Sequence, residues 1–190
     1  MRHVPRSKWR KRLATGGGKA GNTTSGNNPP VRWLTFSGLE LEVTLMVYLT
    51  RRVGFCASHR LFNPHLSDEE NEKIYGRCSN PNGHGHNYTL EVTVCGSPEP
   101  RTGMVIDLKE LKRISVEEIV ERVDHKHLNT DVDFLQGVIP TSENLVIAFW
   151  QLLERRLGGR CQLHEIRLWE TANNVVSYRG EGENLVRVTG

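Results

Sequence analysis

From His84 to Val94 the chain alternates His84, His86, Tyr88, Leu90, Val92 and Val94 with Gly85, Asn87, Thr89, Glu91 and Thr93. A period of two marks a strand with one buried face, and here that face runs out of the aliphatic residues into a pair of imidazoles. Two His separated by one residue on an extended backbone point to the same side, which is how a sheet presents two ligands to one metal ion.

A third imidazole, His59, ends the strand-like run Val53-Gly54-Phe55-Cys56-Ala57-Ser58-His59. Taken singly, each His is explained by a polar turn or a half-buried strand. Taken together, His59, His84 and His86 make three neutral nitrogen ligands, which leave Zn²⁺ one open position; that is the catalytic arrangement rather than the closed structural one. Cys78, six positions before His84, admits three readings from sequence: a fourth ligand that closes the site, an inert buried thiol, or a reactive sulfur whose thiolate is favoured by a nearby cation.

The rest of the chain reads as α+β. Leu45 to Ser58 and His84 to Val94 are predicted strands. Ser67-Asp68-Glu69-Glu70 has the form of a capping box before a short helix ending near Gly76. Met104 to Ile106 reads as a short strand, and Asp107 then caps a helix to about Val123 with Leu108, Leu111, Ile114, Ile119 and Val123 as its apolar face. Thr141 or Ser142 caps a second long helix, Glu143 to Leu157, stopped by Gly158-Gly159. Leu163 to Thr171 and Val175 to Tyr178 form a closing hairpin. The order β-β-α-α-β-β predicts a four-stranded antiparallel sheet with two helices on one face, and its open edges favour oligomerisation.

Several short segments together resemble one family. Phe55-x-Ala57-Ser58-His59-Arg60-Leu61, Cys78-x5-His84-Gly85-His86-Asn87-Tyr88, Asp124-His125-x-x-Leu128-Asn129, Thr141-Ser142-Glu143-Asn144 and Glu170-Thr171-x-x-Asn174 resemble, in family order, the 6-pyruvoyltetrahydropterin synthases. The resemblance implies the tunnelling fold (T-fold), in which three subunits close a barrel and two trimers stack into a homohexamer. It implies one Zn²⁺ per subunit on His59, His84 and His86, and Mg²⁺ with the triphosphate of a pterin substrate. It makes Cys78 the catalytic base, tipping the choice that sequence leaves open. It also makes His125 the proton-relay partner of Cys78 with Asp124 as its orienter, the dyad and the thiol meeting across a subunit interface.

Without the family, Asp124-His125 reads as a polar loop, because adjacent residues seldom hydrogen-bond usefully and His127 competes as the partner. Glu170, acidic at the end of an apolar strand, offers a carboxylate that can accept the two parallel N–H bonds of a 2-amino-4-oxopterin edge; the plain alternative is a solvated edge residue. Thr141, Ser142 and Glu143 are explained as a helix cap and first turn, and the resemblance adds pterin binding. Arg60, Lys73, Arg77 and Lys126 are scattered cations with no phosphate-cradling Gly loop. Cys56 stands where the family commonly has Ser.

The implied reaction converts 7,8-dihydroneopterin triphosphate to 6-pyruvoyltetrahydropterin and triphosphate, as in tetrahydrobiopterin biosynthesis. A related rival is 6-carboxytetrahydropterin synthase of queuosine biosynthesis, whose motif resembles Cys-x3-His-Gly-His rather than the x5 spacing here. A rival of another class is a non-catalytic zinc or pterin binding module in which Cys78 completes the coordination.

Length and charge bound the rest. The 190 residues suffice for one well-packed domain, placed at 46–182. Residues 1–45 carry eight Lys or Arg against two Glu, leaving 17 basic and 20 acidic residues in the remainder. Ala14 to Pro30 is mostly Gly, Asn, Thr, Ser and Pro, a composition too poor in apolar residues to fold. Residues 1–45 therefore read as a disordered basic extension, with a transit segment or a natural start at Met46 as the other readings, and 183–190 as a C-terminal tail. Four Cys without framework spacing suit a reducing cytoplasm, no apolar run is long enough for a membrane span, and no nucleic-acid partner is expected.

Overall fold

The computed structural model describes residues 46–159 and 161–182, together with the backbone of 31–36 and 39–44. Strands β1 (Val31–Phe36) and β2 (Leu39–Thr44) pair antiparallel in a sheet of their own. The expectations for residues 1–30 and 183–190 lie outside the described residues.

The domain sheet is built from β3 (Val47–His59), β4 (His84–Gly96), β5 (Lys126–His127), β6 (Gln162–Trp169) and β7 (Val175–Tyr178), in the order β5-β3-β4-β6-β7. Four of these are antiparallel neighbours, as the sequence predicts. The fifth, β5, is a correction: two residues pair parallel with Ala57 and Ser58, so the sheet is mixed and five-stranded. A ladder this short leaves no periodic trace in sequence.

The alternation holds along the central pair. Val53, Phe55, Ala57 and His59 on β3, and Tyr88, Leu90, Val92 and Val94 on β4, are buried. They join one core with Leu111, Ile114, Ile119, Leu145, Phe149 and Leu153 from the helices. The opposite face is polar, with Arg52 and Arg167 both paired to Glu91 and Thr50 bonded to Thr93 at 2.9 Å.

Helix α1 (Asp68–Tyr75) starts with the expected capping box between Ser67 and Glu70 and ends at Gly76. Asp107 caps α2 (Leu108–Ser115), which runs through a π-helical turn (Val116–Val120) into α3 (Glu121–Val123). The π turn explains an irregular pattern: Ile114 and Ile119 are five apart, more than an α-helical face allows, and the extra residue lets both be fully buried. Leu108, expected on that face, is exposed. Thr141 caps α4 (Ser142–Leu157), its hydroxyl accepting from the amide of Asn144 at 3.3 Å.

The strand expected at 104–106 is absent. Met104 instead closes a tight turn, its carbonyl accepting from the amide of Glu99 at 3.0 Å, and Ile106 is buried without a ladder partner. No helix among the described residues is long and apolar enough to cross a membrane.

Candidate metal centre and substrate cleft

Register brings the imidazoles together. His59 and His84 are directly paired residues at the ends of β3 and β4, and His86 lies opposite Ala57. Their ring centroids are 4.6 Å (His59–His84), 5.2 Å (His59–His86) and 4.9 Å (His84–His86) apart. One nitrogen from each lies within 4.8 Å of the others, and the cluster contains neither Cys78 nor Glu170.

A backbone carbonyl selects the tautomer of His59. Its Nδ1 lies 2.8 Å from the carbonyl of Pro140, which can only accept, so Nδ1 carries the proton and Nε2 keeps its lone pair. That Nε2 is 3.1 Å from Nε2 of His84, while Nδ1 of His84 and Nε2 of His86 are buried without a partner among the described residues. Burial, and then the neighbouring imidazoles, hold His59 and His84 below the usual imidazole pKa, although Glu170 opposes the shift in both. Both rings are thereby kept in the neutral form that binds metal. Buried nitrogens without partners are costly, and a ligand atom from each ring within 4.8 Å of the others fits a shared metal ion.

The loop between α1 and β4 carries Cys78. A 3₁₀ turn (Gly76–Ser79) is tied to the end of β3 by the Leu61 amide donating to the Cys78 carbonyl at 2.8 Å and by Arg60 Nε donating to the Ser79 carbonyl at 2.7 Å. Cys78 is thus half-buried, its carbonyl bonded to the chain two residues beyond His59. Gly83 completes the return with φ of 68°; a Cβ there would meet the His59 carbonyl at 2.9 Å and His127 Nε2 at 3.0 Å, so only glycine fits. Arg60 is spent on this tether and on stacking over Phe62, which removes it from the free cations.

Glu170 follows β6 and closes the β6–β7 hairpin through its amide to the Asn174 carbonyl at 3.1 Å. Its Oε1 sits 3.8 Å from Nε2 of both His59 and His86 and accepts from Ser142 Oγ at 3.2 Å. Thr141, Ser142, Glu143 and Glu170 line one cleft of about 510 Å³ with Asn173 and Asn174. The helix-start and hairpin segments singled out in sequence therefore meet at the histidine cluster.

Asp124 and His125 lie elsewhere. Asp124 Oδ2 is 2.9 Å from His125 Nδ1, and its Oδ1 accepts from the Cys56 amide at 2.7 Å; the latter bond chiefly holds the Asp124 carboxyl below its usual pKa. The adjacent pair does bond, because His125 adopts φ of 58°, a conformation rare outside glycine that turns its ring back on Asp124. His127 takes Asp131 instead, through its amide at 2.8 Å. The His125 ring is 81% exposed, and no hydrogen bond joins it to Cys78 among the described residues.

Sequence reasoning missed Tyr88 and Pro140 as site residues. Tyr88 had a signal, since it continues the face of His84 and His86; the Pro140 carbonyl had none, because any residue supplies one.

The comparisons agree with this geometry. A model of the family described as 6-pyruvoyl tetrahydropterin synthase matches residues 48–181. Over 133 residues the chain is 48% identical to 6-pyruvoyl tetrahydrobiopterin synthase of Pongo abelii and 47% identical to that of Homo sapiens, covering 70% of this chain and 91% of each relative. The solved 6-pyruvoyl tetrahydropterin synthase of Caenorhabditis elegans superposes with a TM-score of 0.68 at 37% identity, over 72% of this chain and 97% of that one. The chain belongs to the 6-pyruvoyl tetrahydropterin synthase family.

Proposed function

We propose that this chain is a zinc-dependent lyase that converts 7,8-dihydroneopterin triphosphate to 6-pyruvoyltetrahydropterin and triphosphate. The observation that carries the reading is a three-imidazole cluster with the Glu170 carboxylate 3.8 Å from two of its rings, the same carboxylate lining a cleft with the capped start of α4.

His59, His84 and His86 would hold the zinc. Zinc bound there supplies Lewis-acid polarisation of the substrate's side-chain oxygens, which acidifies the neighbouring C–H and O–H groups. Glu170 accepts the paired N–H groups of the pterin edge, and Ser142 fixes its carboxylate orientation. Cys78 acts as the base, a role that its absence from the ligand cluster leaves open to it. Removing a side-chain proton, expelling triphosphate and returning the proton elsewhere on the same molecule requires no external redox cofactor. Mg²⁺ accompanies the triphosphate.

His125, oriented by Asp124, relays protons to Cys78 of a neighbouring subunit; its outward exposure supports a site completed by assembly. The assembly is a homohexamer formed from trimers, and the four free cysteines suit a cytoplasmic setting.

The test is product analysis by mass spectrometry after zinc-loaded protein meets 7,8-dihydroneopterin triphosphate and Mg²⁺ without a reductase. A pyruvoyl product is expected. A carboxy product with acetaldehyde would move the chain to deazapurine biosynthesis, and unchanged substrate would leave a binding module.

A further inference from the structure

Tyr88 is 2% exposed, stacked on Phe55 at 4.8 Å with an interplanar angle of 15°, and its buried hydroxyl has no hydrogen-bond partner among the described residues. A phenol in an otherwise apolar stack costs stability when its O–H donates to nothing; phenylalanine would fill the same volume without that cost. The ring lies 5.5 Å from that of His86 and 6.3 Å from that of His59; burial, and then the charges of Glu170 and Cys78, push the phenol's pKa up and keep the hydroxyl protonated. An unspent donor therefore sits beside two of the candidate metal ligands.

We propose that Tyr88 is a catalytic residue whose hydroxyl donates a hydrogen bond to the substrate's side-chain oxygen, where negative charge develops as Cys78 removes the adjacent proton. This rests on the synthase reading and deepens it. The donor is neutral throughout and gives up no proton; it stabilises charge that the resting substrate lacks, so its contribution falls on kcat rather than KM. Stacking on Phe55 and burial in the shared core hold the ring in place.

The experiment compares wild type with Tyr88→Phe in three measurements: thermal unfolding of the metal-free protein, zinc content after loading, and steady-state kinetics. Metal-free Tyr88→Phe is expected to melt several degrees higher, because the orphaned hydroxyl is gone. Zinc content should match wild type, and kcat should fall about a hundredfold with KM little changed. A metal-free variant that melts lower would show that the hydroxyl is spent inside the protein and would overturn the proposal. So would undiminished kcat in the variant beside an active wild type. An inactive wild type would remove the synthase reading itself, and this role with it.

Discussion

The histidine cluster and the Asp124–His125 corner both adjoin β3, yet the chain completes one and turns the other outward. His59 is buried on the helix-covered face, its tautomer selected by Pro140 from within the same chain. His125 hangs on the backbone of Cys56, three residues earlier on the strand, with its ring 81% exposed. On the proposed function, the contrast means that metal binding belongs to the folded subunit, whereas the relay is presented to a partner beyond it. Alternation along β3 makes that division: Ala57 and His59 face the core while Cys56 faces away.

The largest effect should come from breaking the finished half. His84→Ala is expected to abolish metal loading and turnover together, read by zinc analysis and product formation. Next is the link between the halves. Cys78→Ala and His125→Ala should each keep zinc and lose about 10²- to 10⁴-fold in kcat. If the site is shared between subunits, oligomers reassembled from a mixture of the two variants should regain measurable turnover. A mixture as inactive as its components would place both roles in one chain.

Glu170→Ala should retain metal and raise KM by about 10- to 100-fold, the loss of charge-assisted bonds to the substrate; unchanged affinity would count against the anchoring role. Acid should then separate the two regions. His59 and His84 have depressed pKa values in the metal-free fold, so below about pH 6.5 the unfolded chain takes up protons that the folded one resists. Metal-free protein should accordingly lose melting temperature as pH falls through that range, and His59→Phe should blunt the slope. The smallest effect belongs to Ser142→Ala, which removes one 3.2 Å bond to Glu170 and should change KM only a few-fold.

Much of the site was legible because its residues sit on regular elements. A period of two aligned His84 with His86, and helix-start chemistry found Thr141 and the capping box at Ser67. The misses have physical causes. Met104 to Ile106 has the composition of a strand, but a strand needs a partner edge, and Val105 instead packs over Gly96 at the end of β4. The Asp124–His125 bond was discounted because adjacent side chains diverge in ordinary backbone; one residue at positive φ reverses that.

Local geometry and capping already set which residues share a face, where the helices begin, and that three imidazoles and a carboxylate were available. Only the tertiary structure decided that Glu170 approaches two of those imidazoles to 3.8 Å, that Pro140 selects a tautomer, and that the Tyr88 hydroxyl is left unspent. Those facts depend on strand register and on the docking of α4 against the sheet, where residues more than eighty positions apart, such as His59 and Pro140, come into contact and no local preference specifies the distance.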